Sequence, residues 1–179
     1  MKWKRINSKK LFDHPRISLF EDEVQLPGGA RTKYMHFDDG GDSGMVLALG
    51  SDGKFLLQKE YSYPPDEVLY QLPGGALNKD EDPEDGARRE FAEETGLTGD
   101  LKFLGWVYRN NRRSSTKMHI YLATNLTPVS GFEADEEELF EECWHTEEEI
   151  ERMISSNELR TWSFLAGWSL YQAHKKTEP

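Results

Sequence analysis

The chain has 179 residues, of which 36% are hydrophobic and 31% are charged, and its formal net charge is −11. This length and apolar content suffice for one globular domain, and no apolar run reaches the about 20 residues that a membrane span needs. The acidic balance argues against binding to duplex nucleic acid, whose phosphates attract clustered Lys and Arg. The only cysteine, Cys143, has no partner for an internal disulfide, which favours a cytoplasmic location.

Six segments combine apolar and β-branched residues with turn signals at their ends, which is typical of strands. They are 16–26, 31–37, 44–50, 54–60, 101–108 and 117–123. The first two flank Pro-Gly-Gly and the next two flank Ser-Asp-Gly, so each of these pairs predicts a β-hairpin.

Three helices are predicted from start and stop signals. The first has Asp82 as its N-cap, followed by a proline and two acids, and it ends before Gly96. The second begins with a capping box at Thr146 and runs to about Ser155, and the third covers about 161–174. Strands and helices that do not alternate regularly predict an α+β fold or a mixed-sheet sandwich.

The hexapeptide Gln-Leu-Pro-Gly-Gly-Ala occurs twice, at 25–30 and at 71–76. Proline fixes the second residue of a turn and glycine accepts a positive φ at the third, so both copies are predicted to be turns. The flanks differ, because the first copy precedes a strand-like segment and the second precedes an acidic helix. We therefore interpret the repeat as a coincidence of turn type rather than an internal duplication.

Three glutamates of the first helix, Glu90, Glu93 and Glu94, are spaced so that they share one face. Like charges at this spacing destabilise a helix by roughly a few tenths of a kcal/mol per pair. A hard divalent cation such as Mg²⁺ or Mn²⁺ reverses this effect, because it prefers carboxylate oxygens. Arg89 lies four residues before Glu93 and can hold that carboxylate in place. The alternative is an ordinary solvated acidic helix.

The stretch 75–97 resembles the Nudix box, whose pattern is Gly, five residues, Glu, seven residues, Arg-Glu, an apolar residue, any residue, Glu-Glu, any residue, Gly and an apolar residue. The matching residues are Gly75, Glu81, Arg89, Glu90, Phe91, Glu93, Glu94, Gly96 and Leu97. The two Leu-Pro-Gly turns, the acidic stretch at 133–138, Trp144 before a capped helix and the C-terminal helix are similar to the ADP-ribose pyrophosphatase branch of the Nudix hydrolases.

This resemblance implies a Nudix fold, an α/β/α sandwich with a mixed central sheet, and dependence on Mg²⁺, with Mn²⁺ as a substitute. The implied metal ligands are the Gly74 carbonyl, Glu90, Glu94 and Glu138. The implied catalytic residues are Glu93, as a further ligand or a base, Glu136, as a base in a loop, and Arg89, which orients Glu93. For Glu136 and Glu138 the alternative is a solvated acidic loop, since one register slip changes the assignment.

The same resemblance indicates where the substrate would bind. Relatives often carry Gln-Tyr-Arg on the strand before the box, where this chain has Glu60, Tyr61 and Ser62, so a typical arginine is missing. Tyr61 could stack on a base, with a sheet-surface aromatic as the alternative. Arg109 and Arg112 could bind phosphate in an otherwise acidic protein, with a solvated basic loop as the alternative.

The function implied by the resemblance is Mg²⁺-dependent hydrolysis of the pyrophosphate bond in a small nucleoside diphosphate derivative. ADP-ribose or another nucleotide sugar is the favoured substrate, and the products are a nucleoside monophosphate and a sugar phosphate. The alternatives are hydrolysis of a modified nucleoside triphosphate and a non-catalytic nucleotide-binding sensor. Residues 1–42 are expected to form a dimerisation element of a homodimer, or else an intramolecular sheet extension, and residues 43–179 the Nudix hydrolase domain.

Overall fold

The computed structural model describes residues 2–131 and 140–177. No helix in these ranges is long and apolar enough to cross a membrane. The elements within them follow the order β1 Lys4–His14, β2 Ile17–Gln25, β3 Arg31–Asp38, β4 Ser43–Leu49, β5 Lys54–Ser62, β6 Glu67–Gln71, β7 Gly74–Ala76, α1 Pro83–Thr95, β8 Leu97–Tyr108, β9 Lys117–Pro128, β10 Glu141–Thr146, α2 Glu147–Ser155 and α3 Trp162–Lys175.

One compact unit comprises Met1–Asp42 and Tyr108–Lys117. It contains an antiparallel three-stranded sheet in the order β1-β2-β3. The hairpin of β2 and β3 is the one that the sequence predicts around the first Pro-Gly-Gly. The Arg113 guanidinium donates a hydrogen bond to the Met35 carbonyl at 2.9 Å, which ties the second segment of this unit to β3.

The other compact unit, Ser43–Val107 with Met118–Pro179, contains a seven-stranded sheet. Its main path runs β10-β5-β4-β9-β8, with β6 paired to β5 and β7 paired to β4. The pair β4 and β9 is parallel, whereas β5 pairs antiparallel with β4, β6 and β10. The sheet is therefore mixed, as predicted.

A hydrophobic core covers each face of the seven-stranded sheet. Val46 packs in one core with Phe91 of α1, and its neighbour Leu47 packs in the other with Trp168 of α3. Successive side chains of a strand point to opposite faces, so a strand buried on both sides is a continuous apolar run. This arrangement is the predicted α/β/α sandwich.

Four strands, β1, β6, β7 and β10, are not among the six predicted segments. All eleven residues of β1 are exposed, so it buries no face and is held by pairing with β2. The prediction that the second Pro-Gly-Gly copy is a turn is wrong from Gly74 onward, because Gly74–Ala76 pair with β4 and form strand β7. In addition, β8 begins at Leu97, four residues before the predicted start at 101.

Candidate active site

Helix α1 carries the three glutamates, and local signals fix both of its ends as predicted. Asp82 caps the N-terminus, since its Oδ1 accepts the Glu84 N–H at 2.9 Å. Gly96 ends the helix in the left-handed conformation, with φ 63°, and its N–H donates to the Ala92 carbonyl at 3.0 Å. Phe91 is fully buried against the sheet. The helix is thereby anchored, and its acidic face, Glu90, Glu93 and Glu94, has a fixed orientation.

Strand β7 lies beside this acidic face and contacts it through two glycines. Gly74 has a φ of 134°, and its N–H donates to Glu94 Oε2 at 2.8 Å. A Cβ added at Gly75 would lie 2.2 Å from Glu90 Oε2, so a larger residue there must displace the carboxylate. The backbone of β7 therefore holds Glu94 by a hydrogen bond and lies close against Glu90.

Arg89 connects the acidic face to the loop before the helix. Its Nε and Nη2 donate to the two carboxylate oxygens of Glu81 at 2.9 and 3.0 Å. Its Nη1 donates to Glu90 Oε1 at 2.7 Å and to Glu93 Oε2 at 2.9 Å, and the second of these is the pair expected from the sequence spacing. Its Nη2 also reaches the Ala76 carbonyl at 3.3 Å. A planar guanidinium has the five N–H groups that this arrangement needs, whereas a lysine ammonium has three on one atom.

Glu81 is a partner of Arg89 that helical spacing does not reveal. It lies eight residues away in the loop before α1, so no helical periodicity connects the two. Hydrogen bonds from Arg89, and next from the Asn78 N–H at 2.7 Å, lower the pKa of Glu81 from 4.5 to about 2. Glu81 therefore stays ionised and orients the guanidinium toward α1. Only the box pattern, which requires a glutamate at this place, singles it out in the sequence.

The acidic face suits a hard divalent cation in the chemistry of its donors, since carboxylate oxygens are the ligands that Mg²⁺ prefers. Within residues 2–131 and 140–177, however, no group of three His, Cys, Asp or Glu side chains could hold a metal ion as placed. Arg89 engages Glu90 and Glu93, and the Gly74 N–H engages Glu94. The contact seen at Gly74 uses its N–H, and the role of its carbonyl as a ligand stays a prediction.

Two further predicted residues fall in 132–139, outside the residues that the structure describes. They are Glu136, the predicted base, and Glu138, the predicted metal ligand. The described chain resumes at Phe140 and enters β10, which pairs with β5. The roles of both glutamates stay predictions.

The predicted substrate-binding residues are not on α1. Tyr61 lies in β5, is 52% exposed, and donates its hydroxyl to Asp66 Oδ1 at 2.7 Å. Arg109 belongs to the unit of β1–β3, where its guanidinium forms an ion pair with Asp39 at 3.3 Å. Arg112 is exposed in the same segment. Since Asp39 already neutralises Arg109, this arginine is a weaker candidate for phosphate binding than the sequence suggests.

Similarity to known proteins covers the box and the elements around it. Residues 42–166 match the family described as NUDIX domain. The chain is 30% identical over 158 residues to the ADP-ribose pyrophosphatase of Bacillus subtilis (strain 168). This alignment covers 87% of this chain and 85% of that protein. It is 28% identical over 137 residues to the methanol dehydrogenase activator of Bacillus methanolicus, and this alignment covers 74% of each of the two chains.

The fold is also present among solved structures. A crystal structure of an ADP compounds hydrolase matches with a TM-score of 0.85 and 20% sequence identity, and the match covers 98% of this chain and 95% of that chain. The mixed sheet between helices that the sequence predicts is thus confirmed. With the box complete and the family match spanning most of the sequence, the chain belongs to the Nudix family of hydrolases.

Proposed function

We propose that this protein hydrolyses the pyrophosphate bond of a nucleoside diphosphate derivative, with ADP-ribose or another nucleotide sugar as the substrate. The products are a nucleoside monophosphate and a sugar phosphate. The observation that carries this proposal is the acidic face of α1, held in place by Arg89, Glu81 and the backbone of β7. The substrate class is supported by the Bacillus subtilis relative, which is named an ADP-ribose pyrophosphatase.

Nudix hydrolases generally use a divalent metal ion, and for this protein we propose Mg²⁺, with Mn²⁺ as a substitute. Glu90 and Glu94 would hold the ion, with the Gly74 carbonyl and Glu138 completing the ligand set. When bound, the ion supplies positive charge that offsets the repulsion between the pyrophosphate and the acidic face. Oxygen donors of this kind fit Mg²⁺ better than they fit a soft metal.

Arg89 acts as a positioning residue in this proposal. Its guanidinium already donates to Glu81, Glu90 and Glu93, so it restricts the rotation of these carboxylates instead of binding substrate. Glu93 has a side chain that is 59% exposed, and its carboxylate can accept a proton from the attacking water. Glu136 is the second candidate for this base.

The experiment that tests the function is a product analysis with Mg²⁺ and a panel of ADP-ribose, other nucleotide sugars, dinucleotides and nucleoside triphosphates. Chromatography of the products should show AMP and ribose 5-phosphate released from ADP-ribose. Pyrophosphate released from a triphosphate alone would favour the alternative substrate class. A folded protein that releases no product from any compound would favour a nucleotide-binding sensor and contradict the proposal.

We also propose a homodimer that is built on the N-terminal segment. Strand β1 lies at one end of the sheet order β1-β2-β3, and within the described residues its outer edge pairs with no strand. It exposes Leu11 and Phe12, by 43% and 54%, and an exposed edge with apolar side chains favours association. Light scattering should give twice the chain mass of 20.7 kDa, and Phe12→Glu should shift the protein toward monomer. A monomeric wild type would contradict this proposal.

We propose a cytoplasmic location from the state of Cys143. Its thiol is half-buried and donates to the Leu57 carbonyl at 3.4 Å. Burial raises the pKa of this thiol, so that little reactive thiolate forms near neutral pH. Cell fractionation with antibodies against the protein tests this location.

A further inference from the structure

Gly44 lies where strand β4 passes directly under helix α1. A Cβ added at Gly44 would lie 2.7 Å from the Ala87 Cβ, 2.9 Å from its Cα and 3.0 Å from its N atom. Gly44 does not have a positive φ, so its backbone conformation does not require glycine. Glycine inside a strand often marks the close approach of another backbone, and here that backbone is α1. The missing side chain therefore sets how closely the helix lies against the sheet.

Gly75 is the partner of Gly44 in the pairing of β4 with β7. Ala87 lies against Gly44, and the Glu90 carboxylate lies against Gly75, where a Cβ would be 2.2 Å from Glu90 Oε2. Residues three apart in a helix share one face, so Ala87 and Glu90 both lie on the side of α1 that faces the two glycines. The paired glycines therefore contact two successive turns of α1, and the second of these turns carries Glu90.

The contact at Gly44 has little freedom to adjust. Two of the three close atoms of Ala87 belong to the helix backbone, so no rotamer change could make room for a methyl group at residue 44. Strand β4 cannot easily yield either, since it pairs with β5, β7 and β9. The closest distance of 2.7 Å is 0.7 Å less than the 3.4 Å at which ordinary van der Waals contact begins. A methyl group at residue 44 would therefore move α1 away from the sheet by several tenths of an ångström.

A movement of this size changes the distance between proposed metal ligands that lie on different elements. Glu90 and Glu94 move with α1, whereas the Gly74 carbonyl belongs to β7 and stays with the sheet. The present spacing is short, because the Gly74 N–H donates to Glu94 Oε2 at 2.8 Å. Mg²⁺ requires oxygen ligands at about 2.0–2.1 Å in nearly regular octahedral geometry, whereas Ca²⁺ accepts about 2.3–2.6 Å and irregular geometry. A wider site would therefore bind Mg²⁺ less tightly and would change the binding of Ca²⁺ much less.

We propose that Gly44 is a positioning residue that makes the site on α1 selective for Mg²⁺ over Ca²⁺, an inference that rests on the metal site of the proposed function. Gly44 acts through its contact with Ala87 and provides no ligand itself. Because its effect is on the distance between helix and sheet, the ratio of the Kd for Ca²⁺ to the Kd for Mg²⁺ measures it. A role in packing alone would lower the stability of the protein and leave this ratio unchanged.

The test is calorimetric titration of the wild type and Gly44→Ala with MgCl₂ and, separately, with CaCl₂. Residues that orient metal ligands contribute about 10–100-fold to metal affinity, so we expect the Kd for Mg²⁺ to rise about tenfold and the Kd for Ca²⁺ to change by less than about threefold. The matched control is Gly167→Ala in α3, on the other face of the sheet, where a Cβ would lie 2.8 Å from Leu72 Cδ1. This control should keep the wild-type ratio of the two Kd values.

A second variant carries the test if thermal denaturation shows that Gly44→Ala does not fold. Gly44→Ala combined with Ala87→Gly removes the contact between the two Cβ atoms and keeps the contacts of 2.9 and 3.0 Å with the helix backbone. Its ratio of Kd values should fall by less than that of Gly44→Ala, but by at least about threefold. A wild-type ratio in the folded variants overturns the inference, and so does a shift of the same size in Gly167→Ala.

These titrations contain no substrate, so they separate the inference from the proposed function. If the wild type hydrolyses ADP-ribose and the ratio does not respond to substitution at residue 44, the inference alone is overturned. A shifted ratio in a protein that hydrolyses no compound of the panel supports the inference and contradicts the proposed function. A wild type that binds neither ion overturns the inference together with the proposed metal site.

Discussion

The hexapeptide Gln-Leu-Pro-Gly-Gly-Ala has two different structures in this protein. At 25–30 it forms the turn between β2 and β3, in which the Gly29 N–H donates to the Leu26 carbonyl at 2.9 Å. A Cβ added at Gly28 or Gly29 would meet no atom within 4 Å. This copy has the exposed turn that its sequence predicts, and Gly29 supplies the positive φ of 88° that the turn needs.

At 71–76 the same residues end β6 and form β7. A Cβ at Gly74 would lie 2.2 Å from the Gly44 carbonyl oxygen, and one at Gly75 would lie 2.2 Å from Glu90 Oε2. Here the missing side chains let two strands and a carboxylate approach closely. Local sequence permits both structures, and the tertiary surroundings decide which one forms and what the glycines do.

The largest expected effect comes from the carboxylate that contacts the second copy. Glu94→Gln keeps a carbonyl acceptor for the Gly74 N–H, so the fold should be retained, but it removes a charge that a bound cation needs. We expect kcat for ADP-ribose hydrolysis to fall by roughly 10³-fold, with an unchanged melting temperature. The control is Glu84→Gln, in the first turn of the same helix. Wild-type turnover by folded Glu94→Gln would contradict the metal assignment.

The two copies can be compared directly with one substitution in each. Neither Gly75 nor Gly28 has a positive φ, so alanine tests the space around each residue. Gly75→Ala must displace the Glu90 carboxylate, and we expect about a 100-fold loss of kcat/KM and a stability loss of about 1–3 kcal/mol. Gly28→Ala should change stability by no more than about 0.5 kcal/mol. Urea denaturation measures the stability of both variants, and the hydrolysis assay measures their kcat/KM. Equal effects of the two substitutions would contradict the claim that the surroundings give the glycines of the two copies different roles.

Arg89 also distinguishes the second copy, because it reaches the Ala76 carbonyl. Arg89→Lys keeps the charge but cannot bind Glu81 with two donors and still reach Glu90, so we expect kcat/KM to fall about tenfold. Arg88→Lys is the matched control, since Arg88 donates to the Gly99 carbonyl at 2.7 Å on the other side of the helix. Similar kinetics in the two variants would remove Arg89 from the positioning role.

The smallest expected effect is a pH dependence of stability due to Glu81. Its pKa is lowered from 4.5 to about 2 in the folded protein, so the ion pair with Arg89 stabilises the fold above pH 4.5. This contribution is lost as the pH falls from about 4.5 toward 2, because the unfolded chain binds a proton before the folded chain does. Urea denaturation at several pH values should show that the free energy of unfolding falls less steeply with decreasing pH in Glu81→Gln than in the wild type. Identical pH profiles would contradict the role of this ion pair.

The helices of this fold are predictable from the sequence because their signals are local. Asp82, Gly96 and Thr146 mark helix ends through their own side chains or backbone, and the structure has the caps at these residues. The short strands β7 and β10 are not predictable in this way, since each pairs with a strand that is distant in the sequence. Strand β6 pairs with β5, its neighbour in the sequence, and it is not among the predicted strands either. Strand β1 is not predicted either, because it buries no face and so shows no alternation of apolar and polar residues.

Part of the candidate site is likewise predictable from local sequence, and part of it depends on contacts between elements. The shared face of Glu90, Glu93 and Glu94 and the pairing of Arg89 with Glu93 follow from helical spacing. Arg89 contacts Glu81, and β7 contacts Glu90 and Glu94. These contacts join different elements, so the periodicity of a single helix or strand does not predict them.

Titration with Mg²⁺ by calorimetry tests most directly whether the acidic face of α1 binds a divalent cation. The wild-type protein should bind Mg²⁺ saturably at millimolar concentrations, and the double variant Glu90→Gln with Glu94→Gln should lose this binding while keeping its circular dichroism spectrum. A wild type that takes up no Mg²⁺, or a double variant that binds it as tightly, would contradict the assignment of this face as the metal site.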